Sequence, residues 1–207
     1  MVCSIGGKYY LRDLGFVHNS RIKLDQKCHI QIQKGSVVDL GKVVHYHFDR
    51  VVHAIKPSTP SSDKLFILRP DQEYEVDGED FPYIRARPCW VSADENEENI
   101  QNEIHVNADG QKNTNTLGRS MKRDIQIKLK AVSADHCSIN YQPDQGWSIT
   151  EKSNKDKCSS NGTYVFFKTQ DQMKYHMPSD LIPVHDDMII SFVHYELSVR
   201  LVDKTND

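Results

Sequence analysis

Short apolar or alternating runs recur along the chain at residues 9–11, 30–32, 37–40, 84–91, 125–129, 137–141, 147–149, 164–167, 188–192 and 195–202. Gly, Asn, Asp, Ser and Pro separate them. A period of two in runs this short predicts β-strands. No segment combines an apolar stripe at helical spacing with caps at its ends, so no long amphipathic helix is expected. Close strand spacing without helical crossovers predicts an all-β fold, an antiparallel sandwich or barrel.

Two stretches interrupt the pattern. Lys56-Pro57-Ser58-Thr59-Pro60-Ser61-Ser62-Asp63 places two prolines among small polar residues and reads as an extended linker at 56–64. Residues 93–116 are acidic and Asn-rich, and read as either a long surface loop or a disordered insertion. The two sides of the linker resemble each other. Gly7-Lys8-Tyr9-Tyr10-Leu11-Arg12-Asp13 is similar to Gln145-Gly146-Trp147-Ser148-Ile149-Thr150-Glu151, and Val44-His45-Tyr46 recurs as Val193-His194-Tyr195, each after an aliphatic strand.

The 207 residues suffice for one large domain, or for one domain and part of another. A net charge of −3 argues against a general binder of nucleic acid or membrane surface. The average conceals an acidic stretch, 71–109, with twelve acids against two bases. A basic one, 114–168, has nine bases against five acids. The basic stretch suits an anionic ligand. Five cysteines without Cys-x-x-Cys spacing predict free thiols in a reducing, intracellular compartment, cytoplasm or nucleus, rather than a disulfide scaffold or zinc site. No apolar run is long enough to span a membrane.

Three segments carry the candidate chemistry: Thr116-Leu117-Gly118-Arg119-Ser120, Val132-Ser133-Ala134-Asp135-His136 and Ser159-Ser160-Asn161-Gly162-Thr163-Tyr164. An arginine fork grips phosphate oxygens in bidentate fashion, and serine hydroxyls and an asparagine amide supply further donors. A phosphorylated threonine carries about −1.5 to −2 charges near neutral pH, which strengthens each such bond. Asn161-Gly162 is a strong signal for a two-residue hairpin turn. Ser133 beside His136 has the look of a nucleophile–base pair, but no acid partner or oxyanion motif accompanies it, and no enzymatic activity is expected. His45, His47 and His53 lack carboxylate or Cys partners at ligand spacing and read as exposed histidines. Neither metal nor cofactor is expected.

The spacing G-R, S-x-x-H, S-x-N-G-T resembles the forkhead-associated (FHA) family, an eleven-stranded β-sandwich that binds phosphothreonine peptides through its apical loops. The resemblance runs from Leu65 or Ile84 to Val202 and assigns an FHA domain to residues 65–203. It implies that Arg119, Ser133, Ser160 and Asn161 bind the phosphothreonine ligand, and that Gly118, His136, Gly162 and Thr163 support the loops. Several positions depart from the family. Ala134 removes a donor, Glu151 stands for an Asp, residues 152–158 lengthen the third loop, and Phe166-Phe167-Lys168 replaces the usual Asn-Gly.

Residues 1–55 resemble the C-terminal half of the same domain with its binding motif lost. Phe16-Val17-His18-Asn19-Ser20 stands where S-x-N-G-T would be. The expected architecture is therefore an FHA-type sandwich preceded by a partial, degenerate FHA-like unit. Half a sandwich leaves open edges, so its missing strands come from the second domain, another chain or sequence not included here. The function implied is a phosphothreonine-binding adaptor in signalling or complex assembly. The alternative is a structural subunit with a vestigial site, holding a constitutive partner through residues 1–55.

Overall fold

The computed structural model describes residues 1–15, 19–25, 29–53, 67–69, 72–74, 81–95, 98, 100–108, 110, 112–151, 159–193 and 195–202. Its strands in chain order are β1 (Val2–Ile5), β2 (Lys8–Leu11), β3 (Arg21–Lys23), β4 (Ile30–Gln31), β5 (Val37–Leu40), β6 (Val44–Val51), β7 (Ile67–Arg69), β8 (Gln72–Tyr74) and β9 (Tyr83–Val91). They continue with β10 (Ile104–Asn107), β11 (Thr114–Gly118), β12 (Ile125–Gln126), β13 (Cys137–Gln142), β14 (Gly146–Glu151) and β15 (Thr163–Phe166). One short helix, α1 (Gln170–Lys174), precedes β16 (Ile182–Pro183), β17 (Ile189–Phe192) and β18 (Tyr195–Ser198). Thr169 caps that helix through a capping box with Gln172.

Eight strands form one sheet in the order β10-β9-β6-β5-β15-β3-β17-β18. A five-stranded sheet, β12-β11-β13-β14-β4, packs against part of it. A three-stranded sheet, β1-β2-β16, and a ribbon, β7-β8, complete the set. Every pairing is antiparallel except β11 with β12. The alternation seen in the sequence puts Val38, Leu40, Tyr46, Phe48 and Ile84 on one inner face and Leu117, Ile139, Trp147 and Ile149 on the other, forming the main core. Trp147 is 1% exposed, and its indole N–H donates to the Val52 carbonyl at 2.9 Å. A second, thinner core of Ile22, Phe167 and Met188 lies where β3 and β17 meet the three-stranded sheet.

The two similar segments on either side of 56–64, the first and second segments, are interleaved through their later strands. β15 pairs with β3 with Val165 opposite Ile22, and the two sides of that pair mirror each other. β5, from the first segment, lies on β15 with Val38 opposite Val165. β17, from the second, lies on β3 with Ile190 opposite Ile22. The other layer shows the same interleaving. β4 pairs with β14, Ile30 opposite Ile149, and β16 pairs with β2, Ile182 opposite Leu11. Loop bonds follow the same rule: Leu24 N–H donates to Thr163 O at 2.8 Å, and Phe167 N–H to Ser20 O at 2.9 Å.

β4, β5 and β6 thus pair with strands of the C-terminal segment, whose β16 and β17 lie on β2 and β3. Strands β2 to β6 share their sheets with strands of the C-terminal segment. The linker at 56–64 lies outside the described residues. The stretch 93–116, read as loop or disordered insertion, includes β10, whose Ile104 and Val106 enter the main core, and the start of β11. Its acidic composition masked a short alternating run. Asn161-Gly162 does not close a two-residue hairpin, because β14 and β15 belong to different sheets. It forms a turn in which Gly162 N–H donates to Ser159 O at 3.3 Å.

His45, His47 and His53 are all half-buried rather than exposed. His45 has the clearest partners. It stacks on Trp90 at 4.4 Å and lies 3.7 Å from the Asp39 carboxylate, which is ion-paired with Arg21. Burial, with Arg21 nearby, pushes the His45 imidazole down to about 4. Burial likewise raises Asp39 to about 6, against the opposing pull of Arg21 and the Lys42 backbone.

Candidate functional site

The end of β11 delivers the arginine. Gly118 packs so closely on the second loop that a Cβ there would lie 2.4 Å from the Ala134 carbonyl oxygen, so only glycine fits. That approach allows Arg119 N–H to donate to Ser133 O at 2.9 Å and Ser120 N–H to Ala134 O at 3.2 Å. The Arg119 side chain is tethered at Nε by the Val132 carbonyl, 3.2 Å away. The residue remains exposed, with Lys122, Lys128 and Lys130 exposed nearby in sequence.

The second loop is held by His136, which is fully buried. Its Nδ1 accepts the Ser133 backbone N–H at 3.1 Å. Burial drives the imidazole pKa below its ordinary value, against the raising influence of Glu151 and the Gly162 backbone. His136 therefore reaches the nitrogen of Ser133 and not its hydroxyl, which is not the geometry of a nucleophile and its base. The Ser133 hydroxyl instead accepts the Ser160 backbone N–H at 3.2 Å, joining the second loop to the third.

The third loop is ordered from below by Glu151, whose Oε1 accepts Ser159 N–H at 2.6 Å. A carboxylate one methylene longer than Asp fills the role implied for the acid at this place. The Asn161 side-chain amide donates to the Ala131 carbonyl at 2.9 Å, while Ser160 and Asn161 face solvent and Thr163 is buried. Residues 152–158 of the lengthened path are outside the described residues. Arg119, Ser133, Ser160 and Asn161 are thus linked by direct bonds between three loops: a rigid, donor-rich surface carrying one guanidinium, suited to an oxyanion.

Residues from the first segment also reach this surface, and nothing in the local sequence motifs pointed to them. Gly41, in the β5–β6 turn, donates its N–H to Gly162 O at 3.0 Å. At φ +68 it adopts a left-handed conformation, and a Cβ there would lie 2.8 Å from the same Ala131 carbonyl that holds Asn161. The only available signal was the likeness of the two segments, which placed 37–46 alongside 188–195 without saying which strand each would join.

A family model described as FHA domain matches residues 115–193. Residues 115–193 form an FHA domain. The match runs from the second residue of β11 to just past β17, takes in all three loops of the site, and leaves residues 1–114 and 194–207 outside it. FHA domains are modules of protein–protein interaction, generally binders of phosphothreonine peptides, and not enzymes. No curated protein and no solved structure matches the chain. Among the described residues, no group of three or more His, Cys, Asp or Glu is placed to hold a metal ion, and no helix is long and apolar enough to cross a membrane.

Proposed function

We propose that this chain is an adaptor that reads a phosphothreonine on a partner protein. Arg119 is the main phosphate ligand, Ser133 and Ser160 add hydroxyl donors, and Asn161 holds the ligand backbone while ordering its loop. Gly118, His136, Gly162 and Thr163 keep the loops in place. The observation that carries this reading is the direct bonding of the three loops around an exposed arginine. Charge-assisted bonds to phosphate are each worth about 1.5–3 kcal/mol. Titration with a degenerate phosphothreonine peptide library is expected to give micromolar, phosphate-dependent binding, about −8 kcal/mol. Arg119→Ala is expected to weaken it by roughly 30-fold or more without loss of fold. Absence of binding by the folded protein rejects the reading.

One observation favours a constitutive partner as well. Of the sixteen exposed large hydrophobic residues among those described, thirteen belong to segments 1–14 and 175–202, on the side of the thinner core. Grouping of that kind marks a protein-contact surface. A stable complex that survives phosphatase treatment and is lost on Tyr195→Lys supports this second reading, and its absence from lysates removes it.

A further inference from the structure

The first segment brings two lysines to the flank of the third binding loop. Lys23 lies so close that a Cβ on Gly162 would sit 3.2 Å from its Cε. Lys42 follows Gly41 in the β5–β6 turn, and its backbone N–H is fixed by Asp39 Oδ1 at 2.9 Å. The two ammonium groups converge over the ring of Tyr164, at 5.9 and 5.2 Å from its centroid. Both also meet the carboxylate of Glu196, Lys23 at 3.1 Å and Lys42 at 3.7 Å, and the Tyr164 hydroxyl donates to the same carboxylate at 2.9 Å.

Two cations thus face one carboxylate in a place open to solvent, with the Lys42 side chain 51% exposed. Glu196 shows what the place can hold: a side-chain carboxylate gripped by two ammonium groups and a phenol. The remaining positive charge adjoins the Asn161-Gly162 turn, one residue from the group assigned to the ligand backbone. An extended ligand advances about 3.3 Å per residue, so side chains a few positions from the phosphothreonine pass this flank.

We propose that Lys23 and Lys42 form a carboxylate subsite of the phosphothreonine site, which makes the chain select phosphopeptides with an acidic side chain on the Gly162 side of the phosphothreonine. The inference rests on the phosphothreonine reading above. It makes the ligand specificity a property of both segments, since the phosphate ligands come from the second and the selecting cations from the first.

The test uses the full chain and phosphothreonine peptides that differ only in carrying Glu or Gln at each of the three positions on either side. On one side of the phosphothreonine, Glu is expected to bind about two- to fivefold tighter than Gln, as for a partly exposed ion pair. The gain is expected to fade in about 0.5 M salt, to vanish in the Lys23→Gln/Lys42→Gln variant, and to grow in Glu196→Gln, which frees both lysines. Gln peptides keep their affinity in both variants at unchanged salt. Equal losses for Glu and Gln peptides in the lysine variant make the lysines structural and overturn the proposal, as does a Glu preference that survives in that variant. Failure of every phosphopeptide to bind better than its unphosphorylated form overturns the phosphothreonine reading itself and this subsite with it.

Discussion

Trp147 and Tyr9 hold corresponding places in two similar segments and have opposite fates. The carbonyl of each accepts a backbone N–H across an interleaved strand at 2.9 Å, from Ile32 and Val184 respectively. Yet Trp147 is 1% exposed and Tyr9 is 52% exposed. The acids four residues further on show the same likeness. Glu151 accepts Ser159 N–H, and Asp13 accepts Gly15 N–H and Ser20 N–H at 2.9 and 3.0 Å. Backbone register is therefore common to both segments, and burial is not. β14 has β13 and β11 beyond it, which carry Ile139 and Leu117 into the main core, whereas β2 has only β1. Hydrogen bonding copies the strands, but neighbouring strands decide how much apolar surface they remove from water.

Truncation should expose that asymmetry most strongly. Trp147→Ala is expected to destabilise the protein by about 3–5 kcal/mol, through the cavity it opens and the unpaired Val52 carbonyl. Tyr9→Ala is expected to cost within about 0.5 kcal/mol. Denaturant titration measures both, and similar losses would break the comparison.

A smaller effect is expected at the point where the first segment touches the second segment's site. Gly41→Ala forces a Cβ towards the Ala131 carbonyl and so disturbs the bond that orders Asn161. It should cost about 1 kcal/mol of stability from the left-handed backbone alone. It should also weaken phosphopeptide binding about tenfold, an effect expected to be much reduced when Asn161 is already Ala. Additive effects in that double-mutant cycle would mean that the two segments act independently.

The smallest effect concerns β11 and β12, strands with no counterpart in the first segment. Asp124 accepts the Thr116 N–H and hydroxyl, both at 2.8 Å, and pairs with Lys112. Burial alone would raise its carboxyl, but these contacts outweigh it and hold the pKa at about 2, below the ordinary 3.8. A depressed carboxylate stabilises the fold above its unfolded pKa and loses that contribution as pH falls through the folded one. Stability should therefore drop between about pH 4 and pH 2 more steeply in the wild type than in Asp124→Asn, as thermal unfolding across that range would show.

The elements of the fold and the three loop segments were legible because both are local. Alternation at 37–40, 137–141 and 164–167 placed strands correctly, and G-R, S-x-x-H and S-x-N-G-T marked loops that the structure joins. The interleaving was not legible. Val37-Val38-Asp39-Leu40 and Ile189-Ile190-Ser191-Phe192 offer the same kind of inward face, so either could lie on β15, and pattern alone does not choose between partners of equal register. The placement of Lys23, Gly41 and Lys42 beside the third loop was missed for that reason: it depends on which strand their own segment joins. β10 was missed because Glu and Asn around it dominated a four-residue strand.

The claim that the site belongs to both segments depends on β5, and not β17, lying beside β15. Cysteine cross-linking tests it most directly. Paired cysteines at Val38 and Val165 should form a disulfide on mild oxidation, mapped by proteolysis and mass spectrometry, because these residues face each other across adjacent strands. Paired cysteines at Val165 and Ile190 should not, since β3 lies between their strands. Efficient cross-linking of 165 to 190, with none of 38 to 165, would show each segment keeping its own strands and would contradict the account.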